Sequence, residues 1–201
     1  MNEHPILFSA PMVNAILDGR KTMTRRVVKP ELGDEWWMIN RNVNNAAWFM
    51  RESEGYGREE TGRICPCGKP GDRLWVRETW RLWDTQPSDG PGMARVFYRA
   101  TDGEKHYLRH QLWRPSIFMP RWASRITLEI TGVHVERLQD IDGPGVEKEG
   151  LKLPPTELFP AINKDSKLIA QFEKLWDSIN GKKYPWESDP WVWVIGFRRV
   201  S

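Results

Sequence analysis

Across 201 residues the chain has only two cysteines, Cys65 and Cys67, and four histidines. One Cys-x-Cys pair cannot staple a domain, so a disulfide framework is excluded and a reducing cytoplasm is the expected compartment. Long apolar runs are missing too. None approaches the roughly 18 residues of a membrane span, and the opening Met-Asn-Glu-His-Pro-Ile-Leu lacks the basic and apolar regions of a signal peptide. No membrane partner is therefore expected. Strong charge of either sign is also missing, since 30 Lys+Arg against 27 Asp+Glu leave +3. That is too little for a surface tracking phosphates over a long stretch, because avid non-specific nucleic-acid binders are far more basic. No Gly-rich phosphate loop, Ser-His-Asp set, Rossmann fingerprint or internal repeat occurs.

What the chain has in excess is tryptophan, with 12 residues, against a background of 39% hydrophobic and 28% charged residues. The composition is that of a globular protein, and the length suits one domain over residues 1–201. The tryptophans fall in groups: 36, 37 and 48; 75, 80 and 83; 113 and 122; 186, 191 and 193. Indoles serve cores, interfaces and base-stacking platforms alike. Strongly apolar neighbours assign Trp75, Trp176, Trp191 and Trp193 to the core. Trp80, Trp122 and one of Trp36 or Trp37 remain candidates for stacking on a base.

Periodicity gives the element order. Residues 5–8 read as a short strand. Ser9 caps a helix over about residues 10–18, with Pro11 in its first turn and Gly19 ending it. A strand follows around Val27-Val28, ended by Pro30. Residues 31–70 show little periodicity and read as a long, partly irregular insertion. Gly71-Asp72 turns into a strand at Leu74–Arg77, residues 95–100 are strand-like, and residues 124–138 give the clearest alternation. Residues 143–165 read as a second loop region. Leu168, Ile169, Phe172, Leu175, Trp176 and Ile179 make one stripe of a helix over residues 166–179. Residues 191–200 read as a buried strand. The expected class is α+β, mainly β: a small barrel with flanking helices and a long insertion.

Two segments concentrate chemistry. Gly19-Arg20-Lys21-Thr22-Met23-Thr24-Arg25-Arg26 packs four cations into seven residues after a helix and a glycine. It is either a phosphate-holding site or a solvated basic turn. In Arg73–Glu78, strand alternation puts Arg73, Trp75 and Arg77 on one face and Leu74, Val76 and Glu78 on the other. A carboxylate closing an apolar face has either an ion-pair partner or a task.

With Pro115–Ile126 and Pro190–Val200, these segments resemble the ASCH-domain family, in particular the longer variants carried by bacteriophages and prophages. Gly19-x-Lys21-x-x-Thr24-Arg25-Arg26 matches that superfamily's signature. The resemblance implies a PUA-like β-barrel associated with RNA binding and modified-base recognition. Small bacterial members include N4-acetylcytidine amidohydrolases, whose proposed Lys, Thr and Glu fall here on Lys21, Thr24 and Glu78. It implies a hydrolase acting on RNA or a modified nucleoside, with Thr24 as nucleophile, Lys21 as base and Glu78 as acid. A threonine hydroxyl needs such a base, and a lysine serves as one only when burial or nearby cations lower its pKa. A three-residue spacing lets Lys21 and Thr24 meet across a helical turn. Arg20, Arg25, Arg26, Arg73 and Arg77 are the expected anion contacts.

In Pro120–Arg125, Arg121 and Arg125 would contact phosphate with Trp122 on a base and Ser124 beside them; equally, Trp122 is core and the arginines cap a sheet edge. Cys65 and Cys67 with His106 and His110 form a loose Cys2His2 zinc pattern, but Cys-x-Cys is not the usual spacing and no metal or other cofactor is expected. Competing readings are a non-catalytic RNA or modified-base binding module, a single-stranded RNA ribonuclease using the same pocket, and an accessory protein whose Trp-rich surface binds a host protein.

Overall fold

The computed structural model describes residues 1–33, 35–43, 45–53, 57–83, 95–103, 112–154 and 164–201. Strand β1 (Glu3–Leu7) leads through helix α1 (Ala10–Leu17) into β2 (Met23–Val27). Strands β3 (Trp37–Val43), β4 (Ala46–Ser53) and β5 (Gly57–Ile64) form an antiparallel sheet of their own. Then come β6 (Arg73–Arg77), the hairpin pair β7 (Trp80–Trp83) and β8 (Arg95–Tyr98), and the short helix α2 (Arg99–Asp102). The long strand β9 (Thr127–Arg137), helices α3 (Gly143–Lys148) and α4 (Lys164–Asn180), and strand β10 (Trp191–Arg199) complete the order.

The main sheet has the order β1-β6-β9-β10-β2, with β1 parallel to β6 and the other pairs antiparallel. The class is therefore α+β with strands predominating, and the sheets are not closed into a barrel. Edge strands β1 and β2 share no ladder; instead the Arg26 guanidinium donates to the Leu7 carbonyl oxygen at 2.7 Å. A side chain spans the gap that a barrel would close with backbone.

Each face of this sheet carries its own core. On one, Ile6, Phe8, Leu74, Val76, Leu128, Ile130, Trp193 and Ile195 pack with Val13 and Ile16 of α1. On the other, Val192 and Val194 pack with Val146 of α3 and Leu168, Phe172 and Trp176 of α4. Alternation along β10 sends successive side chains into different cores, which is why its sequence is apolar without a period. Truncating a side chain as enclosed as Trp193 or Leu168 costs about 2–5 kcal/mol.

Two stretches depart from the sequence reading. The insertion is an ordered meander over much of its length. Ala47 and Phe49 of β4 point into the first core, Phe49 meeting Trp191 edge-on at 5.3 Å between ring centroids. Trp48 lies over Gly62 on the paired strand, where an added Cβ would come within 3.3 Å of the indole. The charged run Arg58-Glu59-Glu60 on exposed β5 masked this sheet, because a strand paired by one neighbour and facing solvent shows no apolar alternation. The region from residue 143 also opens with a helix. Asp142 caps α3 by accepting from the Gly145 N–H at 2.7 Å. Burial of Val146 offsets the poor helix propensity of Gly143, Pro144 and Gly145.

Candidate functional site

The signature segment crosses from α1 to the free edge of the main sheet. Gly19 turns the chain at φ +74°, and the Arg20 and Lys21 amides both donate to the Ala15 carbonyl, at 2.8 and 2.9 Å. The Thr22 N–H then reaches the Lys148 carbonyl of α3 at 2.8 Å. This clamp sends the Lys21 side chain inward until it is almost wholly enclosed. Its Nζ donates to both the carbonyl and the carboxylate of Glu149, at 2.9 and 2.5 Å.

Glu149 reaches that position because Gly150, at φ +95°, ends α3 in the left-handed region. A Cβ at Gly150 would approach the Ala15 and Lys21 Cβ atoms to 2.8 and 3.0 Å, so any larger residue pushes Glu149 off the lysine. The second oxygen of Glu149 holds Arg25 at 3.3 Å, and Arg25 also binds Glu136 at 2.7 Å. Lys21, Glu149, Arg25 and Glu136 thus form one buried chain of alternating charge. Burial drives the Lys21 pKa below its ordinary value; the Glu149 charge and hydrogen bond oppose that drop, and Arg26 and Arg25 add to it.

Thr24 lies on β2 opposite Ile195, and Arg26 opposite Trp193, so both face the first core. The helical turn expected for Lys21 and Thr24 is therefore absent: Thr24 belongs to a strand and Lys21 to the turn before it. Glu149, which holds Lys21, borders the same narrow cavity, about 30 Å³, that Thr24 lines. This cavity shares Arg25, Arg26, Trp176 and Asn180 with a cleft of about 480 Å³ over the β2 edge, whose walls also include Lys29, Cys67 and Tyr184. A volume in the range of roughly 300–1,000 Å³ is what small-ligand sites offer.

Glu78 does not join this group. It is equally enclosed, but its carboxylate takes two hydrogen bonds from Arg125, at 2.9 and 3.0 Å, and the Arg125 guanidinium stacks on Tyr98 at 3.9 Å. Burial raises the Glu78 pKa, and Arg125 only partly restores it. No bond from Glu78 to Lys21 or Thr24 exists among the described residues.

The remaining candidates are mostly engaged within the fold. Arg20 binds Asp18 and the Gly150 carbonyl, and Arg121 forms a fork with Glu3. Arg77 donates to the Met119 carbonyl and stacks on Trp75, and the Ser124 hydroxyl lies 2.8 Å from the Val76 carbonyl. Arg73 is half-buried on β6. Trp80 is enclosed, its ring edge-on to Trp122, and presents no open face for a base; Trp122 is 64% exposed and does. Trp36 is half-buried and Trp37 exposed, while Trp176 and Trp193 are core as expected and Trp75 and Trp191 are half-buried. Cys65 and Cys67 sit together beside Arg26, whereas His106 and His110 lie outside the described residues.

Glu149, Glu136 and the α4 wall were not reached from sequence. The one local sign of Glu149 was its place before Gly150, after the Asp142 cap and the turn of α3. No family model matches the chain, and no curated protein or solved structure matches it. Among the described residues no helix is long and apolar enough to cross a membrane.

Proposed function

We propose that the protein is a PUA-like, ASCH-type hydrolase acting on RNA or a modified nucleoside, with the N4-acetyl amide of acetylated cytidine as its scissile bond. The observation that carries this reading is the enclosed Lys21 held on Glu149, whose side chain borders with Thr24 a small cavity that shares Arg25, Arg26, Trp176 and Asn180 with a cleft of about 480 Å³. In this reading the five-stranded main sheet, bridged at Arg26, stands in for the barrel of the family.

The chemistry is acyl transfer. Neutral Lys21 takes the Thr24 hydroxyl proton as the oxygen attacks the acetyl carbonyl carbon, and Arg26, on the same face of β2 as Thr24, steadies the oxyanion. The C–N bond breaks as the Lys21 ammonium returns its proton to the departing cytidine amine. Water, deprotonated by Lys21, then cleaves the Thr24 ester to acetate and free hydroxyl. Glu149 keeps the lysine in place through both halves, and Lys21 takes the acid part that the resemblance gave to Glu78. A positioned base of this kind contributes about 10²–10⁴-fold.

A binding-module reading draws on one observation: both Glu149 oxygens and its carbonyl are occupied, as a purely structural strut would have them. Purified protein offered N4-acetylcytidine, free and within single-stranded RNA, separates the readings. Acetate release with an intact strand supports the amidohydrolase, strand scission the ribonuclease, and salt-sensitive binding without turnover the module.

A further inference from the structure

We infer that Cys65 and Cys67 form a redox-active dithiol in the wall of the β2 cleft, with Cys67 as the attacking sulfur, Cys65 as the resolving one and a small acidic disulfide of the glutathione class as oxidant. The inference is independent of the hydrolase reading.

Cys67 lines the cleft and is half-buried, whereas Cys65 is enclosed behind it. Pro66 lies between them, and the Gly68 N–H donates to the Cys65 carbonyl at 3.2 Å, closing a β-turn that Gly68 leaves at φ +108°. Two peptide steps span at most about 7 Å even when extended. The turn shortens that into the span of about 4.4–6.8 Å that a disulfide bridges. The charged and titratable groups sharing the cleft wall with Cys67 are Arg25, Arg26 and Lys29 from β2 and the residues after it, and Tyr184 beyond α4. Arg25 is already paired with Glu136 and Glu149, which leaves Arg26 and Lys29 to favour an anion.

The two sulfurs are set apart by their surroundings. The Cys65 thiol and the Arg26 charge hold the Cys67 pKa below that of an ordinary thiol, against the opposing effect of burial. Donation to Cys67 and burial push Cys65 the other way. Thiolates are the nucleophiles of disulfide exchange, so attack begins at Cys67. Its sulfur bonds to one sulfur of the small disulfide, whose S–S bond breaks and releases one thiolate. Cys65 then gives its proton to solvent and attacks the Cys67 sulfur, expelling the second thiolate. Two protein thiols are oxidised, one small disulfide is reduced to two thiols, and the anion beside Arg26 is lost.

Reduced full-length protein is treated with iodoacetamide at pH 7, native and in urea, and the alkylated sites are mapped by mass spectrometry. Native Cys67 is expected to react about three-fold faster than in urea or more, the gain in thiolate being partly offset by its lower nucleophilicity. Native Cys65 is expected to react more slowly than in urea. With glutathione disulfide the wild type should lose two hydrogen atoms by intact mass, Cys65→Ser should stop at a mixed disulfide on Cys67, and Cys67→Ser should form neither product. Cys67 reacting no faster than in urea, Cys65 reacting first, or a wild-type product that stays at the mixed disulfide each overturns the inference. The alkylation arm uses wild-type protein and stands whether or not the variants fold.

Discussion

Glu149 and Glu78 are both almost fully enclosed and both paired with arginine, yet Glu149 borders the cavity that Thr24 lines, whereas Glu78 lines neither that cavity nor the cleft over the β2 edge. Glu149 also holds Lys21, the side chain proposed above as the base. Glu78 sits under Arg125 and Tyr98, away from the cleft walls described above. Burial and an ion pair are thus common to both carboxylates. What separates them is that Glu149, beside a second titratable group, borders a small cavity sharing walls with a ligand-sized cleft; on this rests the proposal that chemistry takes place at the β2 edge.

The comparison can be broken first at the lysine. Lys21→Met is expected to lower acetate release by about 10²–10⁴-fold, the usual worth of a positioned base. Thr24→Val should fall at least as far, measured as kcat/KM on N4-acetylcytidine. Next in size is Glu149→Ala, which leaves Lys21 and one side of Arg25 buried without their counter-charge. Denaturant unfolding should show a loss of about 3–5 kcal/mol. Glu78→Gln keeps a hydrogen-bond acceptor for a partly solvated Arg125, and the same measurement should show about 1 kcal/mol.

The smallest effect is on pH dependence. Burial raises the Glu136 pKa, but the His134 hydrogen bond and Arg25 outweigh it and hold it below 4.5. Its folded pKa being depressed, Glu136 adds stability that is present above pH 4.5 and lost as pH falls through the folded value. Glu136→Gln should therefore flatten the acid limb of the stability curve below pH 4.5. Glu78 has the opposite sign: its raised pKa makes stability fall as pH rises from 4.5 to the folded value. Glu78→Gln should remove that fall and leave the limb below pH 4.5 in place. Unfolding free energies of both variants between pH 3 and 6 check the pair.

Much of the fold was legible where one face of an element is buried and the other is wet. The α4 stripe, the alternation of β9 and the Leu74-Val76-Glu78 face of β6 all follow from periods of 3.6 or 2. The insertion sheet was hidden because β5 is charged and exposed along most of its length. Helix α3 was hidden because a cap and one buried valine override two glycines and a proline. Lys21 and Thr24 were proposed from the resemblance, and the carboxylate that holds Lys21 was not. A Lys21–Glu149 pair spans 128 residues of sequence and depends on Gly150 adopting a positive φ. No local pattern encodes such a meeting. Glu78 attracted attention for a sound reason, a carboxylate on an apolar strand face, and the fold answers it with Arg125.

In the proposed hydrolase the working carboxylate is Glu149. The most direct test compares kcat/KM for acetate release from N4-acetylcytidine by wild type, Glu149→Gln and Glu78→Gln, with folding of each checked by circular dichroism. The account predicts a loss of about 10²-fold or more for Glu149→Gln and a change within about three-fold for Glu78→Gln. Full activity in Glu149→Gln with loss in Glu78→Gln, or no acetate release by the wild type, would contradict it.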